Sequence, residues 1–260
     1  MNNNFEKNRR EIIEKIVIFI RSKIKESGAN GAIIGLSGGI DSTLTAYLTT
    51  GAIGPNNVLG ILLPEKNVTS KQDIGDTIEI TKILGIDHKL IDISNIIQSF
   101  LSTIPDFDKI NLIANGNIKA RIRMCILYYY ANITNRIVIG TGNKTELLLG
   151  YFTKYGDGGV DIEPIGDLYK TQVRGLSRYL NISSRIIDKV PTAGLWPEQT
   201  DEGELGITYE TIDKILYMLV DEKQDMSIVK KKFPSEYVDK LVRLMNTNKH
   251  KRILAQFCEI

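Results

Sequence analysis

Residues 31–50 have the sequence GAIIGLSGGIDSTLTAYLTT, and this stretch decides the fold. Its first six residues, GAIIGL, form a short apolar run, which is typical of a buried parallel strand. A segment rich in glycine and serine follows and leads into residues 43–50, which we predict to be helical. Such a turn can close its backbone N–H groups around an anion at the positive end of the helix dipole. The stretch therefore predicts an anion-binding loop at the edge of a parallel sheet.

Apolar runs alternate with helical patterns along the rest of the chain. We predict further strands at residues 58–63, 89–93 and 136–139, and helices at residues 13–24, 70–84, 95–101 and 118–133. This alternation is typical of βαβ units with right-handed crossovers. The predicted fold class is therefore α/β, with a doubly wound, mostly parallel sheet flanked by helices. Residues 151–168 and 191–206 are predicted to be loops, and the C-terminal part from residue 208 onward is predicted to be helical.

The composition excludes several classes of protein. Of the 260 residues, 42% are hydrophobic and 25% are charged, which is ordinary for a globular protein. The net charge of +2 is too small to indicate a nucleic-acid or anionic-membrane surface. No run of about eighteen uncharged apolar residues occurs, and the polar residues 1–10 do not resemble a targeting signal. We therefore expect neither a nucleic-acid nor a membrane partner.

The two cysteines, Cys125 and Cys258, form no close pair. This usage fits a reducing compartment, so we expect a cytoplasmic protein. Cys125 lies in an apolar helical run and is interpreted as a core residue. We expect one domain over residues 1–260, with a nucleotide-binding α/β core at about residues 12–190 and a lid loop with C-terminal helices at about residues 191–260.

The anion-binding loop carries a carboxylate, which is unusual for such a site. Its residues are Gly35, Leu36, Ser37, Gly38, Gly39, Ile40, Asp41 and Ser42. Ser37 and Ser42 add hydroxyl donors, whereas Asp41 would repel phosphates unless a cation such as Mg²⁺ lay between them. A Walker A loop would have a lysine in place of Asp41, and no G-x-G-x-x-G fingerprint is present. A glycine-rich turn without a ligand remains the alternative.

This octapeptide resembles the PP-loop of the N-type ATP pyrophosphatases. The resemblance implies ATP as co-substrate, Mg²⁺ as cofactor, cleavage of ATP to AMP and pyrophosphate, and adenylation of a substrate oxygen. An adenine nucleotide alpha-hydrolase-like fold is implied as well. Further segments resemble the NAD⁺ synthetase family, over about residues 12–252; they are GNIKARIRM at 116–124, GTGNKTE at 140–146, FTKYGDGGVD at 152–161, LYKTQVR at 168–174, PTAGL at 191–195 and HKR at 250–252.

The family resemblance assigns roles to individual residues. Asp41 and Glu146 are the implied Mg²⁺ ligands, and Asp41 and Lys170 the implied catalytic residues. Thr141, Lys170 and Thr192 are implied to contact ATP together with residues 35–42. The residues implied to bind deamido-NAD are Arg121, Lys154, Asp161, His250 and Lys251. Taken alone, Glu146 could be a first-turn carboxylate that interacts with a helix dipole, and His250 could belong to a solvated basic cluster.

The reaction that the resemblance implies is the amidation of deamido-NAD with ammonia, the last step of NAD⁺ biosynthesis. An acyl-adenylate is the implied intermediate, and residues 191–206 are the natural lid over it. Free ammonia is the expected donor because neither cysteine lies in a nucleophile-like turn. A homodimer is expected because the helix at residues 118–133 is apolar nearly all round and NAD⁺ synthetases pair through this region. The alternatives are a PP-loop enzyme that modifies tRNA and a non-catalytic adenine-nucleotide sensor.

Overall fold

Four parallel strands form the central sheet in the order β3-β2-β1-β4. They are β1 (Ala32–Gly35), β2 (Val58–Leu62), β3 (Asp87–Leu90) and β4 (Ile137–Ile139). The structure is a computed structural model, and it describes residue 5 and residues 8–258. The prediction for the polar N-terminus falls partly outside this range, on residues 1–4, 6 and 7. Ile33 of β1 lies beside Leu59 on one side and Val138 on the other, so the predicted parallel sheet is confirmed.

The strand order reverses between β1 and β4. The chain first adds β2 and β3 on one side of β1 and then returns, after residue 134, to place β4 on its other side. In open α/β sheets, a crevice forms outside the carboxyl ends of the strands where the order reverses. The loops that follow β1 and β4, at residues 36–39 and 140–143, therefore meet at the same crevice.

The third strand differs from its predicted position at residues 89–93. The structure places β3 at Asp87–Leu90, and all four residues are exposed. β2 ends at Leu62, whose partner in the register is Leu90. The segment continues beside β2 beyond this point, since the Ile91 N–H donates to the Leu62 carbonyl oxygen at 2.9 Å and the Ile93 N–H to the Pro64 carbonyl oxygen at 3.0 Å. Among the described strands, β3 forms one edge of the sheet, which explains why its sequence lacks the continuous apolar run of a central strand.

Helices cover both faces of the sheet. They are α1 (Arg9–Ser27), α2 (Ile40–Ile53), α3 (Lys71–Leu84), α4 (Ser94–Ser102), α5 (Leu112–Thr134), α6 (Lys144–Leu149), α7 (Lys170–Tyr179) and α8 (Ser184–Ile187). Capping residues define several boundaries: Ser70 and Asp73 form a capping box at the start of α3. α5 begins before the predicted residue 118 because the side chain of Asn111 accepts a hydrogen bond from the Ala114 N–H.

Alternation along β1 separates two apolar cores. Ala32 and Ile34 pack in one core with side chains of α1, α2, α3 and α7. Ile33 points to the other face and packs with Ile97 of α4 and Ile122 of α5. Successive side chains of a strand point to opposite faces, and burial of each large aliphatic side chain contributes about 1.5–3 kcal/mol. This confirms the doubly wound arrangement.

The C-terminal part is helical, as predicted. It contains α9 (Asp201–Leu205), α10 (Tyr209–Leu216), a π-helical turn (Tyr217–Asp221), α11 (Met226–Lys230), α12 (Ser235–Thr247) and a 3-10 turn (Lys249–Arg252). Their apolar side chains form a third core that includes Leu149 of α6. α9 corrects the prediction that all of residues 191–206 are loop: Thr200 accepts from the Gly203 N–H, and Gly206, with φ +65°, ends this short helix. The part of the chain that the structure describes has no helix long and apolar enough to cross a bilayer.

Candidate active site

The glycine loop (residues 35–42) connects β1 to α2 at the crevice. Gly38 has φ +79°, and a Cβ atom there would lie 2.8 Å from the Asp73 carbonyl oxygen. Glycine is therefore required at this position for both conformation and space. Gly39 is the N-cap of α2, and its carbonyl oxygen accepts a hydrogen bond of 2.8 Å from the Thr43 hydroxyl. The loop thus wraps the N-terminus of α2, where backbone N–H groups favour an anion.

Two serines support the loop from within. The Ser37 and Ser42 hydroxyls lie 3.2 Å apart, and the Gly39 N–H donates to Ser37 Oγ at 3.2 Å. The Ser42 hydroxyl in turn donates to the Gly39 carbonyl oxygen at 3.1 Å. These contacts fix the two hydroxyls beside the backbone N–H groups, so the donors that the sequence indicated are brought together.

A lysine between two carboxylates lies beside the loop. The Lys170 ammonium is 2.5 Å from Asp41 Oδ2 and 3.2 Å from Glu146 Oε1. The side chain of Lys170 is only 3% exposed, and those of the two acids are 17% exposed. Asn143 Nδ2 donates to the other oxygen of Asp41 at 2.9 Å. Three residues that the sequence singled out from distant segments therefore form one cluster.

Burial and charge set the protonation of this cluster. Burial raises the pKa of Glu146 to about 8; Lys170 opposes this rise, and Asp41 reinforces it. Burial alone would lower the pKa of Lys170, but the charges of Asp41 and Glu146 outweigh it and hold that pKa above its ordinary value. Lys170 is therefore positively charged at neutral pH. An additional cation near Glu146 would favour the ionised carboxylate.

The donor set of the cluster can be compared with the needs of a metal ion. Within the described residues, no group of three or more His, Cys, Asp or Glu side chains could hold a metal. Mg²⁺ is commonly bound by one or two carboxylates, and phosphate oxygens and water supply its remaining ligands. Asp41 and Glu146 therefore fit a cation that is shared with a bound phosphate, and they do not fit a metal enclosed by protein ligands alone.

A cavity of about 790 Å³ opens in front of the cluster. The predicted site residues that line it are Gly35, Leu36, Ser37, Gly39, Ile40, Asp41, Ser42, Thr141, Glu146, Lys170, Thr192 and Lys251. Gly38 does not line it, because this residue faces α3 instead. A cavity of this volume can hold a nucleotide-sized ligand.

Comparison with protein families gives the affiliation of the chain. Residues 12–255 match the family described as NAD synthase. The chain belongs to the NAD synthase family. The resemblance carried by the glycine loop and by the segments downstream is thereby confirmed, over nearly the length that the motifs indicated.

Individual proteins are similar to this chain over almost their whole length. A protein from Methanococcoides burtonii named NH(3)-dependent NAD(+) synthetase is 51% identical over 242 residues, which cover 93% of this chain and 92% of that protein. The NMN synthetase from Francisella tularensis has a similar structure, with a TM-score of 0.86 at 38% identity, covering 97% of this chain and 99% of that one. The NH3-dependent NAD synthetase from Campylobacter jejuni, in complex with the nitrate ion, gives a TM-score of 0.82 at 33% identity and covers 96% and 99% of the two chains.

Four of the residues that the NAD synthase resemblance assigns to deamido-NAD lie together, outside the cavity wall except for Lys251. The Arg121 guanidinium donates to the Lys154 carbonyl oxygen at 3.2 Å, and the Lys154 ammonium donates to the His250 carbonyl oxygen at 2.7 Å. The Lys251 ammonium donates to the carbonyl oxygens of Gly150 at 2.6 Å and of Phe152 at 2.9 Å. The C-terminal HKR segment is thus bound to the 150–154 segment, although His250 itself is exposed.

Asp161 lies apart from this group. Its Oδ2 atom accepts from the Val138 N–H at 2.7 Å, and its Oδ1 atom accepts from the Tyr128 hydroxyl at 3.1 Å. Asp161 is nevertheless an exposed residue. Its carboxylate therefore holds the 161–163 segment beside β4, in addition to any contact with a ligand.

Glu163 is a cavity residue that the sequence analysis missed. Its Oε2 atom accepts from the Gly142 N–H at 2.9 Å, directly beside Thr141. Burial raises the pKa of Glu163 to about 8, despite the hydrogen bond from Gly142 that opposes the rise. The signal for it was its position two residues after Asp161, on a segment that pairs with β4 through Ile162.

Another missed group connects α9 to the lysine of the cluster. Tyr209 is completely buried; its hydroxyl donates to Asp201 Oδ2 at 2.9 Å, and the Lys170 ammonium lies 5.1 Å from its ring centroid. Burial raises the pKa of Asp201, whereas the positive charge of Lys170 opposes the rise. Tyr151 donates to Glu204 of α9 as well. Asp201, near the end of residues 191–206, is thus connected through Tyr209 to Lys170.

Residues 191–206, which we expect to act as a lid and name the lid segment, are bound to α5 through Leu195. Lys119 donates to the Leu195 carbonyl oxygen at 2.8 Å and forms an ion pair of 2.7 Å with Glu65. Leu195 and Trp196 pack against Gly116, where an added Cβ atom would come within 3.2 Å of both side chains. Leu195 and Trp196 also line the cavity, so this segment forms part of the cavity wall.

Proposed function

We propose that this chain joins ammonia to deamido-NAD at the expense of ATP, giving NAD⁺, AMP and pyrophosphate. The observation that carries the proposal is the Asp41–Lys170–Glu146 cluster at the glycine loop, in a member of the NAD synthase family. A carboxylate is a poor acceptor for an amine, and adenylation by ATP makes it reactive. Family membership favours this ligase reaction over the tRNA-modifying enzyme and the nucleotide sensor that the sequence left open.

On the ATP side, the chain supplies positive potential where negative charge develops. The N–H groups and serine hydroxyls of residues 35–42 hold the phosphates, and Lys170 lies deep in the same cavity. Thr141 and Thr192 line the same cavity and would contact the nucleotide there. Donors fixed in advance stabilise the departing pyrophosphate without having to reorganise.

Asp41 and Glu146 would hold Mg²⁺. The ion, when bound, neutralises charge on the phosphates during transfer. The chain's own contribution is to place two largely buried carboxylates 2.5 and 3.2 Å from the Lys170 ammonium, so that both face the phosphate site. Asn143 orients Asp41 by its hydrogen bond of 2.9 Å.

Deamido-NAD would bind to Arg121, Lys154, Asp161, His250 and Lys251. Arg121 and His250 are exposed, and Lys154 is partly exposed, beside the outer surface of α5. The positive charges of three of these residues suit the phosphates of a dinucleotide. Phe152 and Tyr155 offer ring faces to a pyridine ring, and the Lys154 ammonium lies 5.2 Å from the Tyr155 centroid.

The active unit would be a homodimer that pairs through α5. The prediction that Cys125 is a core residue is wrong, since it is exposed in the single chain. On the same helix, Ile113 is 70%, Tyr129 61% and Ile133 60% exposed. Phe100 of α4 is 49% exposed. Cys125, Tyr129 and Ile133 follow one another at a spacing of four residues and therefore form one exposed stripe of α5, which a twofold partner would cover beside Arg121.

The acyl-adenylate would be protected from water by the lid segment. Its contacts with Lys119 and Gly116 keep it over the cavity. Residues 12–190 and 191–260 would act as one domain, since Lys170 belongs to the first part and Asp201 and Tyr209 to the second. We place the reaction in the cytoplasm, where thiols such as Cys125 stay reduced.

A second candidate substrate is the corresponding mononucleotide. The reason is the similarity to a protein described as an NMN synthetase, at 38% identity. Nicotinic acid mononucleotide has the same ring carboxylate but lacks the second nucleotide. The number of cations beside Lys154 favours the dinucleotide, which carries more phosphate charge.

Direct assay distinguishes these possibilities. The purified chain is mixed with ATP, Mg²⁺, ammonium and either deamido-NAD or nicotinic acid mononucleotide, and the amidated product is measured together with AMP. We expect NAD⁺ and AMP in equal amounts from deamido-NAD. A kcat/KM that is larger for the mononucleotide would replace the first candidate by the second, and formation of neither product would contradict both.

A further inference from the structure

Lys189 lies two residues before the lid segment and donates three hydrogen bonds. Its ammonium is 2.9 Å from the Gly38 carbonyl oxygen, 2.6 Å from Asp73 Oδ1 and 2.9 Å from Asp76 Oδ2. Asp76 is completely buried in α3, and Lys189 is 23% exposed. One side chain therefore joins the glycine loop to α3.

The Gly38 carbonyl belongs to the peptide between two glycines. In a trans peptide, the carbonyl oxygen and the following N–H point in opposite directions. The Gly38 carbonyl points to Lys189 and α3, so the Gly39 N–H points the other way, to Ser37 Oγ at 3.2 Å. Ser37 and Gly39 both line the cavity. This orientation keeps the Gly39 N–H and the Ser37 hydroxyl on one side of the peptide, and it keeps the Gly38 carbonyl oxygen on the other side, where Lys189 binds it.

A glycine–glycine peptide has little resistance to rotation, because neither residue has a Cβ atom. Rotation of the 38–39 peptide by half a turn would place a carbonyl oxygen where the N–H now lies. That oxygen would repel a phosphate, whereas the present N–H attracts it. The loop thus needs an external contact that keeps the Gly38 carbonyl on the side of α3.

We propose that Lys189 is a positioning residue for ATP binding, which holds the 38–39 peptide of the glycine loop in its donor orientation. The proposal rests on the proposed function in so far as ATP is the ligand. Asp73 and Asp76 keep the Lys189 ammonium at the Gly38 carbonyl. Asp76 is itself held by Arg185 at 2.8 Å and by Gln72 at 2.7 Å.

The alternative role for Lys189 is a direct contact with phosphate, since its side chain also reaches the cavity. The two roles make opposite predictions for Asp76. If Lys189 acts through Gly38, loss of the Asp76 charge loosens the lysine and weakens ATP binding. If Lys189 instead breaks its hydrogen bonds to Asp73 and Asp76 in order to bind phosphate, loss of the Asp76 charge makes this movement easier. ATP binding is then unchanged or tighter.

The test measures equilibrium binding of ATP with Mg²⁺ by calorimetry, and the KM values for ATP and deamido-NAD, in Lys189→Met, Lys189→Arg and Asp76→Asn. The matched control is Lys230→Met, which removes an ion pair of 2.6 Å with Asp239 between α11 and α12. We expect Lys189→Met and Asp76→Asn to weaken ATP binding by about tenfold or more, as expected for loss of a charge-assisted hydrogen bond. Lys189→Arg restores most of the affinity, and Lys230→Met binds ATP like the wild type.

The selectivity of the effect separates positioning from general damage. The KM for deamido-NAD should stay within about twofold in the same variants, because its residues lie elsewhere. Wild-type affinity for ATP in Lys189→Met would overturn the proposal, and so would wild-type or tighter binding in Asp76→Asn. If Lys189→Met does not fold, Lys189→Gln replaces it under the same criteria. Failure of the wild type to bind ATP would instead contradict the proposed function.

Discussion

The ammonium of Lys170 lies 2.5 Å from Asp41 Oδ2, although the two residues are 129 positions apart in the sequence. The contact joins the first βα unit of the sheet to α7, which begins at Lys170. The same ammonium reaches Glu146 at the start of α6. Chemistry at this point therefore depends on three segments of the chain at once.

The first prediction concerns the two carboxylates. Asp41→Asn and Glu146→Gln should each lower NAD⁺ formation by about 100-fold or more, since both are expected to act on the charge of the phosphates. NAD⁺ is measured at saturating ATP, and the melting temperature checks folding. Asp239→Asn, an exposed carboxylate in an ion pair with Lys230, serves as control and should keep full activity. Near-normal turnover in either site variant would show that the substituted residue does not bind the proposed Mg²⁺.

The second prediction concerns the nitrogen donor. The 260-residue chain should use ammonium, and its rate at limiting ammonium should rise with pH because the fraction of free ammonia rises. Glutamine freed of ammonium should give no NAD⁺. Rates are compared over a pH series at fixed total ammonium, with saturating ammonium as the control for other ionisations. Efficient turnover with glutamine alone would show that ammonia is not the donor.

The third prediction separates the two substrates. Lys154→Ala and Asp161→Ala should raise the KM for deamido-NAD by about tenfold or more and change the affinity for ATP much less. Tyr128→Phe is the matched control for Asp161, because it removes the hydrogen bond of 3.1 Å and leaves the carboxylate in place. Equal losses for both substrates would mean that this segment does not distinguish them.

The fourth prediction concerns the buried carboxyl of Glu163. Its pKa in the folded protein is about 8, above its ordinary value of 4.5, so the folded state retains a proton that the unfolded state releases. Its contribution to stability is therefore complete below about pH 4.5 and is lost as pH rises toward about 8.

Glu163→Gln keeps the shape and an acceptor for the Gly142 N–H but cannot ionise. The melting temperatures of the wild type and the variant should be similar near pH 5, and the variant should become the more stable of the two as pH approaches 9, by about a few degrees. The measurement is thermal unfolding over this range without ligands. A difference that is independent of pH would show that Glu163 is not protonated in the folded protein.

The fifth prediction concerns assembly. Sedimentation equilibrium at micromolar protein should give a mass of about twice 29.2 kDa. Ile133→Asp on α5 should produce monomers and reduce the use of deamido-NAD. Ile18→Asp on α1, where the side chain is 62% exposed, is the matched control and should leave the dimer intact. A fully active monomer would contradict both the interface and its role in the site.

Local patterns in the sequence were sufficient to predict the parallel sheet and most of the helices beside it. The apolar runs around Ile33 and Ile61, with the glycine loop between strand and helix, predict the parallel sheet because burial on both faces requires continuous apolar strands. The edge strand β3 is less well predicted, since its exposed residues carry no such run. α9 was not predicted, because its Asp-Glu-Gly-Glu sequence is typical of a loop. The structure shows that Thr200 caps it as a short helix.

The sequence singled out residues that the structure brings to one cavity, but it did not indicate the contacts between them. The sequence indicated Asp41, Glu146 and Lys170, but it did not indicate that Lys170 pairs with Asp41, 129 positions away, and with Glu146, 24 positions away. It also did not indicate that Asp161 binds the Val138 N–H. Glu163 and Lys189 were not predicted as site residues. Each binds a backbone group of a distant segment, and such a contact requires no sequence motif.

Trp196 is the one tryptophan of the chain, and it lies in the lid segment against Gly116. Its indole is partly exposed at the cavity wall, so any displacement of residues 191–206 alters the polarity around it. The protein therefore carries an intrinsic optical reporter at the position where we expect closure, free of background from other indoles. Rapid-mixing fluorescence can follow the lid in the unlabelled enzyme and time its movement against the release of pyrophosphate.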